Sequence, residues 1–214
     1  MGRRLPAEPV GVPQGGRTLE AVVIGASTGG PKVVENILRS LKRDFPAPLA
    51  VCQHMPPGFI ETWAERLDQS CSLRVKEAQF GERFEKGTAY IAPIGKHMRL
   101  KRDSDGTVSI SLDRDFADTL HIPSIDMLMS SAAQAYGSVM LAVLLTGLGS
   151  DGALGMLAVR RAGGHTISEA PESAVAYSMP GSAVEMGAAA EEVASNEMPR
   201  VITDRVDGKF WSKT

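Results

Sequence analysis

Three side chains that together could make a nucleophile, its base and the group orienting that base follow apolar runs in this 214-residue chain: Ser27 after AVVIG, His54 after LAVCQ and Asp151 after MLAVLL. A serine hydroxyl is a weak nucleophile until an imidazole takes its proton, and a carboxylate fixes the imidazole tautomer and stabilises the cation that forms. Such a trio attacks acyl carbonyls. Ser27 lies in GASTGG, where small neighbours permit a sharp turn and the amides of a following helix could stabilise an oxyanion. Asp151 lies in TGLGSDG, and the amide of Leu148 or Gly149 in that loop could complete the oxyanion site. Each residue also has a simpler role open to it. Ser27 could cap the next helix or belong to a phosphate-cradling turn, although Gly25, Gly29 and Gly30 do not spell G-x-G-x-x-G and no P-loop lysine follows. His54 could cap a strand end beside Pro56-Pro57, and Asp151 could cap a helix over 152–162.

The competing candidates are weaker. His97 falls in a stretch of short strands, His121 precedes a Pro-Ser helix start and His165 opens a later strand, so His54 alone is expected at the carboxyl end of a central strand. Cys52 shares a strand face with His54, but inside an apolar run it reads as buried and inert. Neither Cys52 with Cys71 nor any cluster of Asp, Glu and His has metal-ligand spacing.

The elements that must position these residues alternate. AVVIG reads as a strand and PKVVENILRSLKRD as a helix with Val33, Val34, Ile37, Leu38 and Leu41 on one face. APLAVCQHM and GFIETWAERLDQ repeat the unit, with Phe59, Ile60, Trp63, Ala64 and Leu67 inward. Continuously apolar strands predict a parallel sheet buried on both faces. Residues 72–112 (LRV, TAYIAPI, HMRLKR, TVSISL) predict an antiparallel insertion turning at Asp105-Gly106. From 123 the α/β rhythm returns: PSIDMLMSSAAQAYG, with Ile125, Leu128, Met129 and Ala132 inward, then SVMLAVLL, a helix ended by Gly163-Gly164, HTISEA, short helices and an edge strand at EEVAS. The expected architecture is a doubly wound α/β domain over 19–208, with a mostly parallel sheet and a small antiparallel elaboration. Residues 1–18, with three prolines and four glycines, read as a disordered leader or linker, and 209–214 as a tail. In open sheets of this kind the ligand crevice lies beyond the carboxyl ends of the strands, where Ser27, His54 and Asp151 are expected.

Composition narrows the function. Lys+Arg 23 against Asp+Glu 25 provides no basic field for nucleic acid, and 5% aromatics argues against a base-stacking platform. Two cysteines are too few for a disulfide framework, so a reducing cytoplasm is the expected default, and no stretch reaches the about 18 apolar residues of a membrane span or reads as a signal peptide.

The blocks VVIGASTGGP (22–31), CQHMPPGF (52–59), YIAPIGKHM (90–98), PSIDMLMSSAA (123–133), LLTGLGSDGALGM (144–156), RRAGGHTISE (160–169) and SMPGSAVEMGA (178–188) resemble the catalytic domain of the bacterial chemotaxis protein-glutamate methylesterases, the CheB type. The resemblance implies a cofactor-free Ser–His–Asp hydrolase on a Rossmann-like sheet, with the triad at Ser27, His54 and Asp151, and Thr28 beside the nucleophile assisting. It implies hydrolysis of glutamyl methyl esters on cytoplasmic chemoreceptor helices, releasing methanol, with receptor glutamine deamidation as a second activity. Leu148 stands where the family usually has methionine, and APESAVAYSMP (170–180) is looser than its norm. Members usually carry an N-terminal phospho-receiver that inhibits the esterase. A linker-like leader precedes this domain here, and two expectations stand: a stand-alone esterase, with a separate regulatory receiver or kinase as a further partner, or a receiver that lies outside this sequence. A nucleotide-binding module and a catalytically silent receptor-binding adaptor are the alternatives.

Overall fold

The computed structural model describes residues 18–114 and 120–209, so the leader and tail expected over 1–18 and 209–214 lie, except for Thr18 and Lys209, outside the described residues. Seven strands form one parallel sheet: β1 (Ala21–Ala26), β2 (Leu49–Gln53), β3 (Arg74–Glu77), β4 (Thr88–Ile91), β7 (Met140–Leu144), β8 (His165–Glu169) and β9 (Glu191–Val193), in the order β3-β4-β2-β1-β7-β8-β9. A two-stranded antiparallel ribbon, β5 (His97–Arg102) with β6 (Val108–Asp113), stands apart from it.

The apolar runs explain the layering. β1, β2 and β7 are buried along their whole length, and alternate residues feed two cores. Val22, Ile24, Leu49, Val51, Leu141 and Val143 meet α1 (Gly30–Ser40), α2 (Ile60–Ser70) and α6 (Met198–Val206). Val23, Ala50, Cys52, Ala142 and Leu144 meet α3 (Ile125–Tyr136), α4 (Ala153–Arg161), α5 (Ser178–Glu185) and the ribbon. Small residues dominate the strands on the second side, where α3 lies over them and the ribbon packs on α3.

Three expectations change. Of the segments read as antiparallel in 72–112, β3 and β4 join the main sheet in parallel register, and only β5 and β6 pair antiparallel. β4 is buried along its whole length, as a strand covered on both faces is, whereas β3, at the sheet edge, buries only Val75 and exposes Arg74. The Asp105-Gly106 turn forms as expected, with the Gly106 N–H on Asp103 O. Phe59 is 58% exposed rather than inward, because α2 begins only at Ile60. α6, not anticipated, closes the α1 side.

Candidate active site

Sheet topology brings two of the three candidate residues together at once. Strand order reverses around β1: the chain adds β2 to one side of it and returns much later to add β7 to the other, which opens a crevice beyond the carboxyl ends. The β1–β2 register pairs Ala26 with Gln53, so Ser27 and His54 leave the sheet side by side. The His54 N–H donates to Ala26 O at 3.0 Å, and the fully buried Gln53 amide donates to the carbonyls of Ser27 (2.8 Å) and His54 (2.9 Å). On the other side, the Ser27 N–H donates to Thr146 O at 3.0 Å and the Leu145 N–H to Gly25 O at 2.8 Å. Gly147 allows the closest approach: a β-carbon there would lie 2.7 Å from Ser27 Cβ and overlap Met179 Sδ.

Asp151 completes the arrangement. Its Oδ2 lies 2.9 Å from His54 Nε2, and both side chains are 11% exposed. Burial works against the Asp151 carboxylate, but the His54 hydrogen bond, the amides of Asp126 and Ile125 and the His54 charge outweigh it and hold the carboxyl below its usual range. Asp151 does cap a helix, though not the one expected. α4 starts behind Gly152 with no side-chain cap of its own residue, while Asp151 accepts from Ile125 N (2.8 Å) and Asp126 N (2.9 Å) at the start of α3, and from Ser124 Oγ (3.1 Å). His54 Nδ1 is buried and has no partner among the described residues. In the neutral imidazole, Nε2, which faces a carboxylate held ionised, is the nitrogen that carries the proton, and Nδ1 presents a lone pair.

The other expected residues sort by contact. Ser27 is half-buried and does not cap α1, whose N-terminal cap is Gly29 without a side-chain bond. Thr28 is exposed, and its carbonyl accepts from Thr146 Oγ1 at 2.9 Å. The Gly149 N–H donates to Ser178 Oγ at 3.1 Å, whereas the amides of Thr28 and Leu148 make no hydrogen bond among the described residues. Cys52 is fully buried, and burial, with the Asp151 charge, raises its thiol well above the usual value. His97 is buried with Nδ1 accepting from Ser124 N, and His165 pairs with Glu191. His121 stacks on His54 with ring centroids 4.2 Å apart, and burial and the His54 charge lower its pKa.

Gln53, Ser124, Asp126 and His121 belong to the site although sequence reasoning assigned them no role. One signal was available for them: Gln53 directly precedes His54; Gly25-x-Ser27-x-Gly29, with the spacing of a nucleophile elbow, bears on Ser27 alone. Among the described residues no three His, Cys, Asp or Glu side chains are grouped to hold a metal ion, and no helix is long and apolar enough to cross a membrane.

A doubly wound, Rossmann-like α/β sheet that places a serine, a carboxylate-paired histidine and free loop amides at its switch point, with the dinucleotide fingerprint missing from its first turn, has the form of a catalytic domain rather than of a dinucleotide-binding one. Comparison with known proteins is specific: residues 22–202 match the CheB methylesterase family, and the chain belongs to it. A protein-glutamate methylesterase/protein-glutamine glutaminase of Caldanaerobacter subterraneus is 48% identical over 78% of this chain and 46% of its own length. Its counterpart in Escherichia coli O157:H7 is 42% identical over 86% of this chain and 52% of its own. The chain thus spans about half the length of these curated relatives. The crystal structure of the Thermotoga maritima CheB methylesterase catalytic domain superposes with a TM-score of 0.85 at 40% identity, covering 89% of this chain and all of that one.

Proposed function

We propose that this chain hydrolyses glutamyl methyl esters on chemoreceptor cytoplasmic helices, with Ser27 as nucleophile, His54 as base and Asp151 as the orienting carboxylate, and that it deamidates receptor glutamines at the same site. The observation that carries the reading is the 2.9 Å His54–Asp151 bond beside Ser27, in a chain that covers a whole CheB catalytic domain. Ser27 Oγ attacks the ester carbonyl carbon and its proton passes to His54 Nδ1, the ring atom that Asp151 does not occupy. The resulting oxyanion takes hydrogen bonds from the Thr28 and Leu148 amides. Gly149 is the poorer donor of that loop, its N–H being engaged by Ser178. Collapse expels methoxide, which leaves as methanol with the proton from His54 Nδ1. Water then gives a proton to Nδ1, attacks the acyl-enzyme and frees a glutamate carboxylate and Ser27. With a glutamine substrate the leaving group is ammonia.

The receptor helix would meet a rim where Phe59, Leu148, Leu154 and Val175 are exposed. Work in the cytoplasm, with a receiver or kinase as regulator, belongs to the same proposal. Methanol release from methylated receptor membranes tests it: Ser27→Ala and His54→Gln lose about 10⁴–10⁶ in turnover while receptor binding persists. Wild-type methanol release from Ser27→Ala would overturn the assignment.

A further inference from the structure

Two helix N-termini meet at Asp151, and each is capped by a residue at the start of the other. Asp151, just before α4, accepts from the first amides of α3, Ile125 N and Asp126 N. Asp126, in the first turn of α3, returns the contact: its Oδ1 accepts from Gly152 N at 2.8 Å and Gly155 N at 2.7 Å, at the start of α4. The two helices are pressed together there. A β-carbon on Gly155 would fall 2.7 Å from Met129 Cβ and 3.0 Å from both Asp126 Cα and its carbonyl oxygen.

A carboxylate can cap an N-terminus anywhere, and Ser or Asn would serve as well at lower electrostatic cost. Here two carboxyls lie close enough to oppose each other. Burial, with the neighbouring Asp151 charge, raises Asp126 to about 6 against the pull of the Gly155 and Gly152 amides. What the pairing achieves is geometric. Asp151 sits in a glycine-flanked loop, between Gly149 and Gly152, both with left-handed φ (89° and 100°), so the turn that presents it depends on glycine backbone. The Asp126 clamp on Gly152 N ties the residue following Asp151 to α3, the helix Asp151 itself caps.

We propose that Asp126 is a positioning residue of the esterase, holding Asp151 in register with His54 by reciprocal capping of α3 and α4. This rests on the triad reading above. The cap on α4 needs an acceptor oxygen at Oδ1 and no negative charge.

The test compares Asp126→Ala, Asp126→Asn and Asp126→Glu in the 214-residue chain. Each is measured for kcat and KM of methanol release, for the rate at which a fluorophosphonate labels Ser27, and for thermal unfolding. Asp126→Ala is expected to lower kcat and the labelling rate at least tenfold, with KM within about twofold, well below its melting temperature. Asp126→Asn, which keeps the acceptor, recovers most of that loss, and Asp126→Glu, whose oxygen is displaced by a methylene, does not. A folded Asp126→Ala with kcat within twofold of wild type, its lower melting temperature notwithstanding, reduces the residue to a structural cap and overturns the proposal. So does a folded Asp126→Asn that stays tenfold down, since charge would then be what counts. If Asp126→Ala fails to fold, Asp126→Asn and Asp126→Glu decide by the same criteria. Ser27→Ala run alongside separates the two readings: if it is active, the triad itself falls, and if it is inactive while Asp126→Ala is not, only the clamp does.

Discussion

Gln53 shows how a neutral, fully buried side chain can align reacting groups it does not touch. Its amide nitrogen holds the carbonyls of Ser27 and His54 together, one from each of two neighbouring strands. Gln53→Leu removes both bonds: Ser27 O keeps the Gly30 N–H at 2.9 Å, while His54 O is left without a donor among the described residues. The substitution should cost about 1–3 kcal/mol of stability in a denaturant titration, since a lost buried partner costs its desolvation penalty. It should also lower kcat by roughly 10-fold or more, because small misplacements of reacting groups are expensive. Asp126 makes a prediction of opposite sign. Its folded pKa of about 6 exceeds the ordinary carboxyl value, so from about pH 4 to 6 the folded chain holds this proton more tightly than the unfolded chain. Its contribution to stability is therefore present at acid pH and lost as pH rises through 6. Asp126→Asn should melt higher relative to wild type at pH 8 than at pH 4.5, as calorimetry across that range would show.

At the scale of elements, the decisive piece is the loop from β7 to α4, which passes close behind Ser27 and then delivers Asp151. Gly147 is its contact point with the nucleophile. Gly147→Ala would drive a methyl against Ser27 Cβ and the Met179 side chain, at a site whose N–H and C=O are both engaged, by Ala176 O and Met179 N. Overpacking of this kind costs about 1–3 kcal/mol. A loss of kcat well beyond that of stability is expected, measured by methanol release against melting temperature; equal losses would show that the loop's shape does not govern Ser27. The helices themselves were legible from periodicity. Ile125, Leu128, Met129 and Ala132 on α3 are all fully buried as their spacing requires. Partners were less legible: β3 and β4 are too short for their patterns to distinguish parallel from antiparallel pairing.

On the scale of the molecule, the two cores flanking one sheet are closed at the β9 edge by a charged lock. Glu191 on β9 accepts from Arg205 of α6 at 2.8 and 2.6 Å and from His165 of β8. Burial pushes the other way, but hydrogen bonds from His165 and Arg205 and their charges hold the Glu191 carboxyl down at about 2. A lowered carboxyl pKa stabilises the fold above the ordinary value near 4.5 and ceases to do so as pH falls toward 2. Glu191→Gln should therefore lower the melting temperature at pH 7, with the gap from wild type closing as pH approaches 2, since it removes the Glu191 charge from beside an Arg205 that is 3% exposed.

The sequence alone determined the alternation of strand and helix, the parallel sheet buried on both faces, the strand ends that carry Ser27, His54 and Asp151, and through its motif blocks the family. These are properties of local pattern: apolar period, glycine at turns, residue order along the chain. The tertiary structure decided what depends on neighbours distant in sequence. It set the register that puts Ser27 beside His54, the His54 nitrogen that faces Asp151, the engagement of Gly149 by Ser178, and the exchange of caps between α3 and α4. Asp126 and Asp151 lie 25 residues apart along the chain, and no periodicity links them. Their contact exists because two helices from separate α/β units start at the same point over one sheet.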